Sequence, residues 1–572
     1  MRRSAMNALM VAVIAATLLG CTGPAGGGAT SSTSSQTERP PSSGPKRITA
    51  AIKFDPPTLN VKLNPATVAG VDQLEDLVNA GLVLFSEYDQ LQPQLAEAVP
   101  SAENGLWNLL PDGRMETTWK IKPEVRWHDG TPFTSQDLAF TLRAVSDPEI
   151  AVLRDRAYSL IDAVEAVDPQ TITVRWRQPY IEAATLFTHQ LAQPMPRHIL
   201  ERVYLDSKAT FTDSPYFNTE YVGLGPYRVQ EFVGGSHVLL RAYDDYILGR
   251  PKIDEIEVKF ISDPNVLVAN VLAGSVEVTL GRGISLEQAV QVRDQWRDGQ
   301  FINALKSWLV VYPQFVNASP QVITDVRFRR ALLHAIDRQQ LVDTLQFGLV
   351  PVAHGILSPN QPRFKEIEER DVVRYEYDPR RAMQIVEGIG YARGQDGFFR
   401  DAAGQRLSLE FRTITTDINQ KAMFAIADDW QRAGIGTETV VIPTQRATDL
   451  EYRANFPAVE LLRQPDNLRG MVRLHSSEAR TAEKGFTGTN NARYMNPEFD
   501  VLIDRYLSTI PETERTQVIG QIVHHMTDQV VVMGMFFDGQ PVLVSNRIVG
   551  VGPGSGEFTV QTWNAHEWDV RS

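Results

Sequence analysis

Along the chain, short runs of apolar residues rich in β-branched side chains recur at 47–54, 171–176, 237–243, 255–261, 407–414 and 437–443, and they predict β-strands. In the second of these, Ile172, Val174 and Trp176 fall on one face and Thr171, Thr173 and Arg175 on the other. Between such stretches, apolar residues spaced by three and four predict amphipathic helices. One is capped by Asp325 and runs through Phe328, Leu332, Ala335, Ile336 and Leu345, and others cover 378–386, 419–432 and 512–530. Residues 119–138 read as a strand, an Asp129-Gly130 turn, and a helix opened by Thr134 with Asp137 three positions on. Strands mixed with helices, without a strict repeat, predict an α/β (mixed α+β) protein. A chain of 572 residues exceeds a single core, so two or three lobes are expected.

One apolar run is of a different kind. Met1-Arg2-Arg3 precedes an uncharged stretch at 8–19, then Gly20 and Cys21, the only cysteine in the chain. The run has the length of a signal-peptide core and falls short of the roughly 20 apolar residues a membrane span needs. Leu18-Leu19-Gly20-Cys21 resembles the bacterial lipoprotein box, in which the cysteine is acylated and the bond before it cut. An ordinary secretory signal is the alternative, and the lack of any other cysteine favours lipidation at Cys21. Residues 22–46 are dominated by Pro, Gly, Ser and Thr, a composition that cannot bury enough surface to fold. As a flexible tether they would reach about 25–30 Å. The expected layout is a signal peptide at 1–20, a lipidated cysteine and linker at 21–46, and a globular body from Arg47, held extracytoplasmically at the cell membrane.

Composition removes several classes of function. The formal net charge of −13, with no basic tract to offset it, argues against nucleic acid as partner. A body without cysteine has no disulfide framework and no thiolate metal site. The chain contains no Gly-x-Ser-x-Gly elbow, no His-Glu-x-x-His and no Walker loop. His524 and His525 are adjacent, so on a helix they point about 100° apart and do not share a metal easily. No cofactor and no enzymatic activity are expected.

Five blocks in order carry a family likeness. They are residues 119–138, Gly223-Leu224-Gly225-Pro226-Tyr227-Arg228-Val229, residues 246–254, Asp325-Val326-Arg327-Phe328-Arg329-Arg330-Ala331-Leu332 with Ala335-Ile336-Asp337-Arg338, and Tyr494-Met495-Asn496-Pro497-Glu498-Phe499-Asp500. Together they closely resemble the family 5 extracellular solute-binding proteins, the peptide-binding components of ATP-driven importers. The resemblance implies a two-lobed periplasmic-binding-protein-like fold with a hinge, the first lobe from 47–85, 186–290 and 535–572, an extra inserted domain at 86–185, and the second lobe at 291–534. It also implies a peptide or other small solute as ligand, permease subunits as partners, and a monomer. A sensory or adhesive lipoprotein on the same fold, and an exported hydrolase, are the alternatives.

Each block also has a structural reading. Gly223-Leu224-Gly225 is followed by Pro226 and has no third glycine at phosphate-loop spacing, so it reads as a turn. Arg327, Arg329 and Arg330 diverge around a helix, and His128 beside Asp129 reads as a turn residue rather than a catalytic pair. In the subset of the resembled family that binds peptides by the free amino terminus, an aspartate in an Ala-Asp-Tyr type block meets the ligand's ammonium group. Here the corresponding region is 459–467, where the block is not intact. Asp466 is the candidate ammonium partner, while Arg463 could instead favour a carboxylate-bearing ligand. Trp308 and Tyr312 share one face of a strand expected at 308–317, lining either a ligand cleft or a core. Asn490 could supply amide hydrogen bonds or shape its own loop.

Overall fold

A computed structural model describes residues 44–571 apart from 64–69, 88, 151–154, 362, 467, 555 and 557–558. The leader, Cys21 and the linker to residue 43 lie outside the described residues. The six predicted strands form as Arg47–Ile52, Thr171–Trp176, His237–Ala242, Glu255–Phe260, Ser408–Thr413 and Gly436–Val441. Among the described residues no helix is long and apolar enough to cross a membrane.

One ten-stranded sheet runs through the body. Its order is Gly436–Val441, Ser408–Thr413, Val459–Gln464, Gly299–Pro313, Met533–Ser545, Val278–Thr279, Arg47–Ile52, Glu255–Phe260, His237–Ala242 and Tyr227–Val233. The two long central strands are antiparallel neighbours, and each serves two hydrophobic cores. On Gly299–Pro313, Ile302 packs on a first core whereas Leu305 and Leu309 to Tyr312 belong to a second. On Met533–Ser545, Met535 to Phe537 belong to the second core and Val542 and Val544 to the first. The changeover coincides with a break in register between Leu305 and Ser307, which leaves Lys306 without a pairing partner opposite Asp538 and Gly539. A bulge there bends the strands at the point where the cores part.

A smaller antiparallel sheet, Trp107–Leu109, Met115–Lys120, Thr171–Trp176 and Ile161–Asp168, is covered by helix Ser135–Ser146. Trp119, Trp127, Phe140, Ile172 and Trp176 join it to the first core. The helix opens as its sequence predicts, with a capping box between Thr134 and Asp137. The Asp129-Gly130 turn is closed by Trp127 N donating to the Thr131 carbonyl at 2.9 Å.

The Gly223-Leu224-Gly225 segment is a turn that needs its glycines for close approach. A Cβ on Gly223 would stand 1.9 Å from the Val78 carbonyl oxygen, and one on Gly225 2.5 Å from Asn79 N. His128 closes this turn from the other side. Its Nδ1 accepts from Gly223 N at 3.2 Å and its Nε2 donates to the Gly225 carbonyl at 3.0 Å. Burial pushes its pKa down to about 4, so it stays neutral and structural. Asp129 turns instead to His198, at 2.7 Å.

The Asp325 helix departs from expectation. It ends at His334, and a second helix, Arg338–Leu345, begins after Asp337. Asp337 breaks the run because its side chain accepts from Gln340 N, acting as a cap in mid-pattern, while its own N–H donates to Asp429. Arg329 and Arg330 are structural. Arg329 donates to the carbonyls of Ile323, Gln529 and Val530, and Arg330 to Asp528, so together they close the C-terminal end of helix Glu512–Asp528.

Candidate functional site

Where the cores part, polar and charged side chains collect around the bulge. Ser307 Oγ donates to Asp538 Oδ2 at 3.3 Å and receives a bond from Gln540 Nε2 at 3.3 Å. Lys306 Nζ donates to the Thr559 carbonyl. Thr559 in turn is tied to Asp89, its Oγ1 donating to Oδ1 at 2.9 Å. Arg463 enters from Val459–Gln464, the neighbour of Gly299–Pro313 on the second-core side, and its Nε lies 2.8 Å from Asp538 Oδ2. Burial raises the Asp538 carboxyl above its ordinary range, and Arg463 and Arg282 pull the other way.

Asp466 follows two residues after that strand and is only 1 % exposed. Burial pushes its pKa up to about 6, against a hydrogen bond from Ser358 and the charge of Lys306. Its Oδ2 has no hydrogen-bond partner. Gln561, packed beside Gln73 through a 2.9 Å bond from its own N–H, likewise leaves both side-chain polar atoms unpartnered. Buried polar atoms without partners are costly. Others occur among the described residues, Glu75 Oε1 and Glu460 Oε2 among them, and what distinguishes Asp466 and Gln561 is their place at the seam beside Lys306 and Thr559.

Arg282 completes the cluster from the first-core side, directly after Val278–Thr279. It reaches solvent, yet burial by surrounding protein holds its guanidinium below the ordinary value and Arg463 adds to the effect, while Asp538, Asp72 and Asp466 oppose it. Lys306 is held down in the same way by burial, with Asp72 and Asp89 acting against it.

The fold places Arg463 and Asp466 at the seam, and Trp308 beside them in register, opposite Gln464 and Phe537, with its ring turned into the second core; Tyr312 and Asn490 lie elsewhere. Trp308 is 3 % exposed within the second core, its ring against Gly534, where a Cβ would meet it at 2.8 Å. Tyr312 is 6 % exposed and faces Glu460 across the strand pair, six residues and about 20 Å along the strand from Lys306. Asn490 is fully buried in its loop, donating to the carbonyls of Leu474 and Tyr494 and accepting from Tyr494 N. Its amide is consumed by the backbone around it. His525 likewise bonds Tyr494, and His524 the Asp371 carbonyl.

Arg282, Lys306, Asp538 and Gln561 were not read from the sequence. Two of them carried a signal. Lys306-Ser307 interrupts an apolar stretch that resumes at Trp308, and Asp538 interrupts another between Phe537 and Val542. A charge inside a long apolar strand requires a local partner or a ligand.

Two surface grooves of about 510 and 500 Å³ lie elsewhere, beside helix Ser135–Ser146. Their charged lining is already paired, Arg197 with Glu201 and His198 with Asp129, each at 2.7 Å. They offer no buried group in search of a partner, and the seam between the cores is the stronger site.

Comparison with known proteins agrees with this architecture. Residues 90–481 match the family described as bacterial extracellular solute-binding proteins, family 5. The oligopeptide-binding protein AppA of Bacillus subtilis is 23 % identical over 451 residues, 77 % of each chain. Its structure with a nonapeptide superposes with a TM-score of 0.67 at 18 % identity, covering 92 % of this chain and 100 % of AppA. A putative ABC transporter peptide-binding protein of Brucella abortus is 25 % identical over 311 residues, and the match spans about half of each chain, 54 %. NikA from Brucella suis in complex with Fe(III)-EDTA superposes with a TM-score of 0.74 at 17 % identity, covering 92 % of this chain and 100 % of NikA.

Proposed function

The chain belongs to the family 5 bacterial extracellular solute-binding proteins, which bind rather than transform their ligands, and from that premise we propose that it captures a peptide or related small polar solute between its two cores and delivers it to an ABC-type importer. The observation that carries this reading is Asp466, a buried carboxylate with one oxygen unpartnered at the seam where the cores part. An ammonium group, such as the free amino end of a peptide, supplies the donors that Oδ2 lacks. The peptide-binding relatives support that ligand class.

The two hydrophobic cores support two lobes, which we place at 47–85, 186–290 and 535–572 for the first and 291–534 for the second, with the change of core falling inside the long strands near Leu305 and Asp538, and with the proposed inserted domain at 86–185 packed on the first core. Closure of such lobes on a ligand converts occupancy into a shape a permease can sense. A thermal shift with a defined pool of short peptides tests the reading. Ligand at a hundred times its Kd adds about 2.7 kcal/mol, which for a body of this size raises Tm by about 2–3 °C. If neither peptides nor polar solutes move Tm, the binding reading fails.

We also propose that Cys21 carries a lipid that tethers the body beside its permease, on the strength of the arginines, apolar run and Leu-Leu-Gly-Cys sequence at the N-terminus. Cys21→Ser should move the protein from the membrane fraction to the soluble fraction without changing ligand affinity. Retention of Cys21→Ser at the membrane would refute the anchor.

A further inference from the structure

Arg282 and Arg463 stand on opposite sides of the two long central strands. Arg463 belongs to Val459–Gln464, outside Gly299–Pro313, and Arg282 follows Val278–Thr279, outside Met533–Ser545. Three strand spacings, about 14 Å, separate the two strands sideways, and the register adds an offset along them, since Val278 is level with Gln300 whereas Arg463 is level with Leu309; Arg463 narrows that offset by reaching back to Asp538, which pairs opposite Ser307. Of the charges acting on Arg282, Arg463 is the strongest, ahead of Asp538, Asp72 and Asp466.

Two guanidinium groups repel unless an anion lies between them. Asp538 contacts Arg463, whereas the guanidinium of Arg282 makes no hydrogen bond or ion pair among the described residues. Arg282 is nonetheless held in place. A Cβ on Gly281 would lie 3.1 Å from the Gly70 backbone and one on Gly283 2.7 Å from Leu267, so the chain on either side of Arg282 is packed tightly.

We propose that Arg282 and Arg463 form a two-sided clamp for a carboxylate of the ligand, and that the preferred solutes are peptides bearing an acidic residue at or next to the free amino end. This rests on the reading of the seam as the ligand site and names the chemistry it selects. Asp466 lies three residues after Arg463, at most about 10 Å along the backbone. The ligand's cation and anion must therefore lie close together. An anion held from both cores at once is bound only when they approach, so the same contact that selects the ligand favours closure.

The test compares Glu-Ala-Ala-Ala with its neutral isostere Gln-Ala-Ala-Ala by titration calorimetry on the purified protein. The wild type should bind the Glu peptide 10- to 100-fold more tightly. Arg282→Met, which keeps the stem and leaves no carboxylate unpaired, should bring the ratio close to 1 while changing the Gln peptide's affinity by less than about threefold. Arg463→Met should also bring the ratio close to 1, and because it frees Asp538 and can weaken both peptides, its melting curve is recorded beside it. Equal binding of both peptides by the wild type, or a preference that survives Arg282→Met, overturns the clamp and leaves the binding reading intact. Failure of both peptides to bind overturns the clamp together with the peptide reading.

Discussion

Asp466→Asn is expected to weaken binding of the best peptide ligand by about 100-fold and, at neutral pH, to raise the melting temperature of the empty protein. The two effects share one cause. A carboxyl raised from about 4 in the unfolded chain to about 6 in the folded one costs the folded state about 3 kcal/mol once it is ionised. The asparagine keeps the shape and removes the charge, returning part of that cost, about 1–3 kcal/mol after any loss of the Ser358 bond. The ligand loses a buried charge-assisted contact, for which losses of 2–5 kcal/mol are usual.

The pH dependence follows with a definite sign. The folded pKa is raised, so the group's contribution to stability is fully present below about 4 and is lost as pH rises through about 6. Ligand affinity runs the opposite way. An ammonium pairs with the carboxylate, so affinity falls about tenfold per pH unit below about 6 and levels off above it, and Asp466→Asn removes that slope. Calorimetry from pH 4.5 to 8 on both proteins measures this. An unchanged affinity in the variant, or a wild-type affinity flat across that range, would remove Asp466 from the site.

Local features of the fold were legible because local physics decides them. Thr171–Trp176 alternates between a core face and an outer face, and the Thr134–Asp137 capping box is complete within four residues. Asp337 misled because an aspartate in a periodic apolar pattern reads as a polar helix position until its side chain is seen to cap the next helix. The Trp308 and Tyr312 face was ambiguous for another reason. Leu309, Val310 and Val311 are as buried as their neighbours, since a central strand is covered on both sides and alternation carries no information about which side meets the ligand. Arg463 and Asp466 could be named because both sit in one short block. Arg282, Lys306 and Asp538 could not be joined to them, because sheet order, rather than distance along the chain, makes them neighbours.

Arg469→Ala is expected to lower the affinity for every ligand by about 10- to 30-fold without altering the preference among them. Arg469 lies in helix Leu468–Val472 on the second core, and it grips Glu182, beside Ala183 and Ala184 of the first core. The grip is bidentate, Nε to Oε1 at 2.9 Å and Nη2 to Oε2 at 2.7 Å, and Tyr180 donates to the same carboxylate at 2.8 Å. Ile181 N also donates to the Leu507 carbonyl at 3.3 Å, and Ile181 packs on the second core. These contacts span the cores and hold them together. Both side chains are mostly shielded, so a bidentate pair of this kind contributes about 1.5–2 kcal/mol. That energy acts on the fraction of molecules already closed, and apparent affinity scales with that fraction whatever the ligand. Small-angle scattering should show a larger radius of gyration for the empty variant, and the Arg469→Glu/Glu182→Arg double variant should recover part of both properties through a coupling that neither single change has. If Arg469→Ala leaves both scattering and affinity unchanged, the contact is incidental and closure depends on the ligand alone. If it changes the ratio between acidic and neutral peptides, Arg469 acts on the ligand directly rather than through the approach of the two cores.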